Sequence, residues 1–454
     1  MIRLTAATPS AVRQARAITR ICILAASCWT TAAVATCVVG AIVLPLAFVP
    51  IIAAVAGVLW VTPLIRFSLI RPPLSPTVQP PPGGHGELML AVRQVTAALG
   101  VSEPAGVEIS PDCDAWLEPR PDGPVLVIGA PFLWWLRVSE LRGLLAPVLA
   151  GIEAAHDRQL RAARRFIRRL DIAESHGCPP WPRASISAVA RACRLRAELM
   201  ERAVGAAAAE HARAVEPTAR VYAHEQAGLV AVGWDRLLHR LALPAWRAGR
   251  VPETLNAALA AALTELGQRD RVGLGLADRL TERPACDLLD EPGDLDRAVS
   301  AIAPAMYQAS LQGAPLRADP VTYKPLPWTR YVEEVAEPAL RADAAAAPDN
   351  PLIAKVRALL GQPSAGTPAS GDTAAGLRAV VQCGLVDKGL AVPGVDWLDG
   401  VVLRDQAGLI VPVDELVHAL LDNADFDPLR AWIIYAAGLD GGDDEAVVGE
   451  RRVG

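Results

Sequence analysis

Three of the chain's seven histidines stand beside acidic residues, in patterns that could hold a metal. Glu153 and His156 are three residues apart, which puts a carboxylate and an imidazole on one helix face. Glu210 precedes His211, and His224 precedes Glu225. The Glu-x-x-His spacing is used in di-metal carboxylate bundles, which need two such motifs and two more glutamates. Only one is present here. Adjacent Glu–His pairs point to different faces of a helix. The plain reading of His156, His211 and His224 is surface residues on alanine-rich helices. The sharper reading is a rebuilt zinc site, with imidazoles holding the ion. No other chemistry is signalled. The chain has no Walker-type loop, no GxSxG and no Gly-rich dinucleotide fingerprint. Its eight cysteines, at 22, 28, 37, 113, 178, 193, 286 and 383, form no CxxC pair. That favours free thiols in a reducing compartment over a disulfide framework or a zinc ribbon.

The elements that would position a site centre on residues 139–157, SELRGLLAPVLAGIEAAHD. Leu141, Leu144, Leu145, Leu149 and Ile152 recur at mostly three- and four-residue spacing, which predicts a helix. The apolar run at 125–129, VLVIG, predicts a strand just before it, joined by a short loop. Upstream, 107–110 reads as a strand and PDCDAW at 111–116 as a turn. Pro121-Asp122-Gly123 signals another turn.

Strand, turn, strand and then a helix opening on Glu140-Leu141-Arg142 resembles the HtpX-like membrane zinc metallopeptidases, peptidase family forty-eight of the metallo clan. The resemblance covers about residues 20–240. It implies a His-Glu-x-x-His helix, in which two imidazoles at i and i+4 bind zinc and the Glu serves as general base. Laid on that pattern, the first ligand position is Pro147, the base position Val148 and the second ligand position Gly151. The family's third ligand is a Glu on a later helix. Residues 219–228, ARVYAHEQAG, match the tail of that segment and put the ligand position at Thr218, with Glu216 two residues early. None of these four side chains is suited to the family's zinc chemistry. The resemblance therefore implies the zincin-like frame, with no catalytic residues and no zinc cofactor. It also implies a peptide groove along the 125–129 strand, at Val125, Val127 and Gly129, open to strand addition. Pro147 and Gly151 are poor helix-interior residues, so a kink or split is expected near Ala146.

Composition frames these elements. The chain is 454 residues long with a net charge of -5, which signals no basic surface for nucleic acid. Hydrophobic residues make up 52 %, and part of that excess is one block: residues 21–65 hold no charge. A membrane-spanning helix needs about 20 apolar residues. The block therefore predicts a hairpin, with helices near 21–43 and 49–67 and a turn at 44–50. Arg13, Arg16 and Arg20 precede it, and Arg66 and Arg71 follow, which places both ends in the cytoplasm by the positive-inside rule. A signal peptide ending near Cys37 would be much shorter. Six arginines between 158 and 169 predict a basic helix, solvated or lying near anionic headgroups.

The expected class is mostly α (α+β). A cytoplasmic N-terminus at 1–20 leads into the hairpin at 21–70 and a Pro/Gly linker at 71–86. The metallopeptidase-type body follows at 87–345, with helix at 246–268 and a loop with caps at 280–297. A second linker spans 346–374. A small α+β module at 375–438 has a hairpin between 401–403 and 409–411 and two closing helices. An acidic tail at 439–454 is expected to be disordered. The function implied is a membrane-anchored, cytoplasm-facing pseudopeptidase with a protein or peptide partner. An active zinc endopeptidase with a rewired site is the alternative, and a working C-terminal module on a spacer body is a third.

Overall fold

The computed structural model describes residues 8–43, 62–80, 85–176, 183–270, 281–289, 291–307, 322–347, 350–362 and 373–437. The expected turn at 44–50, most of the second hairpin helix and the acidic tail lie outside them. The chain is mostly helical, with small sheets. It divides into two compact units, Met1–Gly228 with Gly275–Leu295, and Leu229–Leu274 with Asp296–Gly454.

In the first unit, helix α1 runs over Pro9–Val43, starting earlier than the apolar block alone predicts. The reason is a second stripe. Ala11, Ala15 and Ile18 share a helix face and are fully buried. They pack with Leu160, Ala163, Leu170, Ile186, Cys193 and Met200. Those residues come from two later helices, Arg158–His176 and Arg183–His211. Beyond this foot the same helix turns its apolar side chains outward, Ile23 being 58 % and Ile42 78 % exposed. By length and composition α1 can cross a membrane over Pro9–Thr36. Helix α2, Thr62–Leu69, comes back to the foot. Phe67 meets Phe166 edge-on, with ring centroids 5.8 Å apart.

Helix α3 (His85–Leu99) precedes a three-stranded sheet of β1 (Val107–Ser110), β2 (Ala115–Arg120) and β3 (Gly123–Gly129). The order is β1-β3-β2. β3 is parallel to β1 and antiparallel to β2. A strand flanked on both edges and covered on both faces reads as a continuous apolar run, which explains VLVIG. Gly129 donates its N–H to the Asp114 carbonyl at 2.8 Å. A Cβ there would lie 2.2 Å from the Asp112 carbonyl oxygen, so the PDCDAW turn needs this glycine. Cys113 in that turn has its thiol pushed up to about 12, by burial first and then by Asp112 and Asp114. Burial thus favours the neutral thiol.

The expected loop after β3 is a short helix, α4 (Ala130–Trp135), with Pro131 in its first turn. Then come α5 (Val138–Ala150), α6 (Ile152–His156), α7 (Arg158–His176) and α8 (Arg183–His211). Buried Glu140 accepts the Arg137 N–H at 2.9 Å, an orphan donor at the start of α5. The break expected near Ala146 falls instead at Gly151, whose N–H donates to the Val148 carbonyl at 3.1 Å. Pro147 stays inside α5.

Helix α9 spans Pro217–Leu237. In the second unit, the helix expected over 246–268 is split. α10 (Leu243–Arg247) is followed by strand β4 (Arg250–Pro252), then by α11 (Asn256–Asp270). The loop expected at 280–297 holds the start of α12, Pro292–Met306, because proline is well suited to a helix's first turn. Its Asp296 accepts the N–H groups of Leu255 and Asn256 at 2.8 and 3.3 Å, capping α11. Burial raises Asp296 to about 6, against the pull of those two N–H groups and Arg297.

Strand β5 (Lys324–Leu326) pairs with β4. The C-terminal core gathers α13 (Glu337–Ala345), α14 (Pro351–Leu360), α15 (Thr373–Asp387) and α16 (Val413–Asn423). Leu429 of α17 (Asp427–Ala436) joins it. The hairpin is not the expected one. β7 (Gly400–Arg404) pairs with upstream β6 (Val392–Asp396), while 409–411 contributes an isolated bridge, Arg404 to Ile410. Pro393 and Gly394 hide β6 from a propensity reading.

Candidate functional site

The helix with the zinc-type frame, α5, crosses the start of α9, where the third-ligand segment falls. The approach is close: a Cβ on Gly143 would lie 2.8 Å from the Arg220 Cα and 2.9 Å from its nitrogen. Trp135 of α4 donates its indole N–H to Gln226 of α9 at 2.9 Å. The two segments that the resemblance pairs are thus packed together by backbone contact.

Beside this crossing lies a cleft of about 410 Å³, lined by Pro147 of α5, Glu210 of α8, Arg220 and His224 of α9, and Arg213 between those two helices. Arg213 and Glu210 form an exposed ion pair at 2.8 Å. Arg220 donates to the Ala212 carbonyl at 2.5 Å. His224 donates Nδ1–H to the Arg220 carbonyl at 2.8 Å. Glu216 precedes α9 with φ at 41°, a left-handed conformation that is uncommon for a non-glycine residue.

Of the four degenerate positions, Pro147 lines the cleft. Val148 is half-buried on α5, Gly151 caps α5, and Thr218 is exposed in the first turn of α9. The three histidines are not gathered. His156 is exposed at the end of α6. His211 donates Nε2–H to the Leu99 carbonyl at 2.9 Å, tying α8 to α3. Only His224 reaches the cleft. Glu153 is also engaged, accepting from Ser102 N–H and Oγ–H at 3.3 and 3.1 Å. Among the described residues no three His, Cys, Asp or Glu side chains are grouped to hold a metal ion.

Zinc therefore fits the cleft poorly. One carboxylate and one imidazole fall short of the three protein ligands of a catalytic zinc site, and two guanidinium groups beside them repel a cation. Arg213 is paired with Glu210 and Arg220 donates to the Ala212 carbonyl, which leaves the cleft one positive charge in excess. The sequence pattern flagged Glu210 and His224 but not the cleft's cationic balance. The resemblance would place an Asp at Arg220, and that exchange was the available signal.

Val125, Val127 and Gly129 lie on the middle strand. Val127 is opposite Glu108 on one side and Trp116 on the other. Strand addition at β3 is blocked. Val78 bridges to Ile109 on the outer side of β1, and β2 carries Pro119, a residue suited to an edge.

No family model, no curated protein and no solved structure matches the chain.

Proposed function

We propose that the chain is a membrane-anchored, catalytically inactive relative of HtpX-like zinc metallopeptidases that works by binding or scaffolding. The carrying observation is the α5–α9 crossing. It joins the two motif segments by backbone contact at Gly143 and Arg220, while the motif positions hold Pro147, Val148, Gly151 and Thr218. A zincin-like frame with its water-activating groups replaced retains a cleft but no general base positioned over a metal. In this reading, α1 and α2 belong to a membrane hairpin whose two ends face the cytoplasm, in accord with the arginines on its flanks. The partner is a protein or peptide segment, and the cleft beside the crossing is its candidate seat.

The test is the zinc content of detergent-purified, folded, full-length protein, read by elemental mass spectrometry beside a chelator-sensitive peptide hydrolysis assay. The expected result is no stoichiometric zinc and no chelator-sensitive hydrolysis. One zinc per chain, lost on H224A, with matching hydrolysis, would establish the rewired endopeptidase instead.

A further inference from the structure

We propose that the cavity between residues 72–75, β2 and α7 seats one lysine or arginine side chain of a partner protein, with Glu118 as its counter-charge. The site goes beyond the reading above and does not depend on it. It shares no lining residue with the cleft beside the α5–α9 crossing.

One face of the sheet gives the floor. Strand residues alternate sides, so Trp116, Glu118 and Arg120 share a face of β2. Val127, opposite Trp116 and Glu108, puts Glu108 of β1 on that face too. The segment after α2 is tied across it. Val78 and Ile109 exchange backbone hydrogen bonds at 2.8 Å. Thr77 donates its hydroxyl to Glu108 at 2.6 Å, and Ser75 donates its N–H to Glu118 at 3.4 Å. From α7, Arg168, Asp171 and Ile172 complete a cavity of about 290 Å³.

Glu118 is 2 % exposed, and its charge is only partly met. Oε1 has the Ser75 N–H, whereas Oε2 is buried and accepts no hydrogen bond. The Arg120 guanidinium stands 3.7 Å from Oε2, beyond hydrogen-bond reach, and holds Glu108 at 2.6 Å. One guanidinium thus serves two carboxylates, and one negative charge is left over. Asp171 and Arg168, both exposed, add one charge of each sign to the lining, so the surplus stays negative. A buried acceptor without a donor costs free energy and is uncommon in native folds. A cationic donor in the cavity supplies both the hydrogen bond and the missing charge.

The walls select the kind of cation. Pro72, Pro73, Trp116 and Ile172 are apolar, which suits an alkyl stem that carries its charge at the tip. An indole face also attracts an ammonium or a guanidinium. A divalent metal ion is the poorer occupant. Two carboxylates supply few of the six to eight oxygens that calcium takes, and Arg168 repels it. Among the described residues no three His, Cys, Asp or Glu side chains are grouped to hold such an ion.

The experiment is a saturation-transfer NMR titration of full-length protein in a non-ionic detergent. The probes are N-acetyl-lysine methylamide and N-acetyl-arginine methylamide, with the norleucine and glutamate analogues as uncharged and anionic controls. The expected result is saturable binding of the basic probes alone, weakened by salt. Glu118→Gln keeps the shape and removes the charge, and should weaken binding ~10-fold or more. Asp171→Asn, at an exposed position, should weaken it ~2–5-fold. Arg168→Gln should act with the opposite sign, tightening it ~2-fold. Glu225→Gln on α9, outside the cavity, should leave it unchanged. Melting by circular dichroism shows that each variant is folded. If Glu118→Gln does not fold, the opposite signs at Asp171 and Arg168 decide. The proposal is overturned if the basic probes do not bind folded wild type saturably. Equal binding of the norleucine analogue, or affinities that the charge variants do not move, overturns it as well.

Discussion

The α5–α9 crossing and the α1–α7–α8 bundle both belong to the first unit, and they are built on opposite terms. At the crossing, backbones meet at Gly143 and Arg220, and nothing larger than hydrogen fits. In the bundle, ordinary side chains interdigitate past Ile18 to Ile21, while Ile23 and Leu24 are exposed. At the crossing, the positions laid on the zinc motif hold Pro147, Val148, Gly151 and Thr218. Beyond Ile21, α1 carries apolar surface that is exposed among the described residues.

The sharpest way to break this contrast is to cut the two halves of α1 separately. Ile18→Ala removes a fully buried side chain and should cost about 3 kcal/mol, within the range for buried Ile to Ala. Ile23→Ala, in the exposed half, should leave unfolding in detergent within about 0.5 kcal/mol of wild type. Thermal unfolding by circular dichroism in one detergent measures both. Equal losses would mean that α1 is packed along its whole length.

Gly143→Ala attacks the crossing. Its new methyl would press on backbone, which cannot swing away as a side-chain tip can, so a loss of about 2–3 kcal/mol is expected. Glu140→Ala tests the same helix more gently. It leaves the Arg137 N–H without its carboxylate, at a helix start where negative charge is favoured, for about 1–2 kcal/mol. If Gly143→Ala proves milder than Glu140→Ala, the crossing is looser than its geometry implies.

Acid sharpens the comparison by separating the second unit from the first. Asp296 in the fold is raised to about 6 from an ordinary 3.8. A carboxyl with a raised folded pKa binds its proton more readily folded than unfolded. Stability therefore rises as pH falls from about 6 towards 4, and the group's contribution is flat above that window. The gain is at most about 3 kcal/mol. The pH slope of wild type minus that of Asp296→Asn should carry this sign. Stability effects at Gly143 and Ile18 should not change across the same window.

Much of this layout was legible in the sequence, and the misses share a cause. The three- and four-residue apolar rhythm located α5, and the charge-free block located the exposed half of α1. Pro121-Asp122-Gly123 marked the β2–β3 turn. The foot of α1 was missed because alanines at 11 and 15 carry little hydrophobic signal until α7 and α8 cover them. The middle position of β3 was missed because a run such as VLVIG states burial and not which neighbours supply it. β6 was missed because Pro393 and Gly394 lower strand propensity locally, and pairing with β7 overrides it. At the cleft, single residues were readable but their convergence was not. That Arg220 and His224 face Glu210 depends on the α5–α9 approach, which rests on the absence of a side chain at Gly143.

Gly205 supplies the smallest and most discriminating effect. It lies inside α8, as Gly143 lies inside α5, and intrinsic helix propensity favours alanine at both by the same amount, roughly 1 kcal/mol. A Cβ at Gly205, however, meets nothing within 4 Å. Gly205→Ala should therefore stabilise by about 0.5–1 kcal/mol, the reverse of Gly143→Ala, in the same unit and with the same chemistry. Identical substitutions with opposite signs isolate the backbone approach as the cause, since propensity cancels between them. Were both to stabilise, the Gly143–Arg220 contact would be too loose to hold the two motif segments together, and the retained-frame reading would lose its main support.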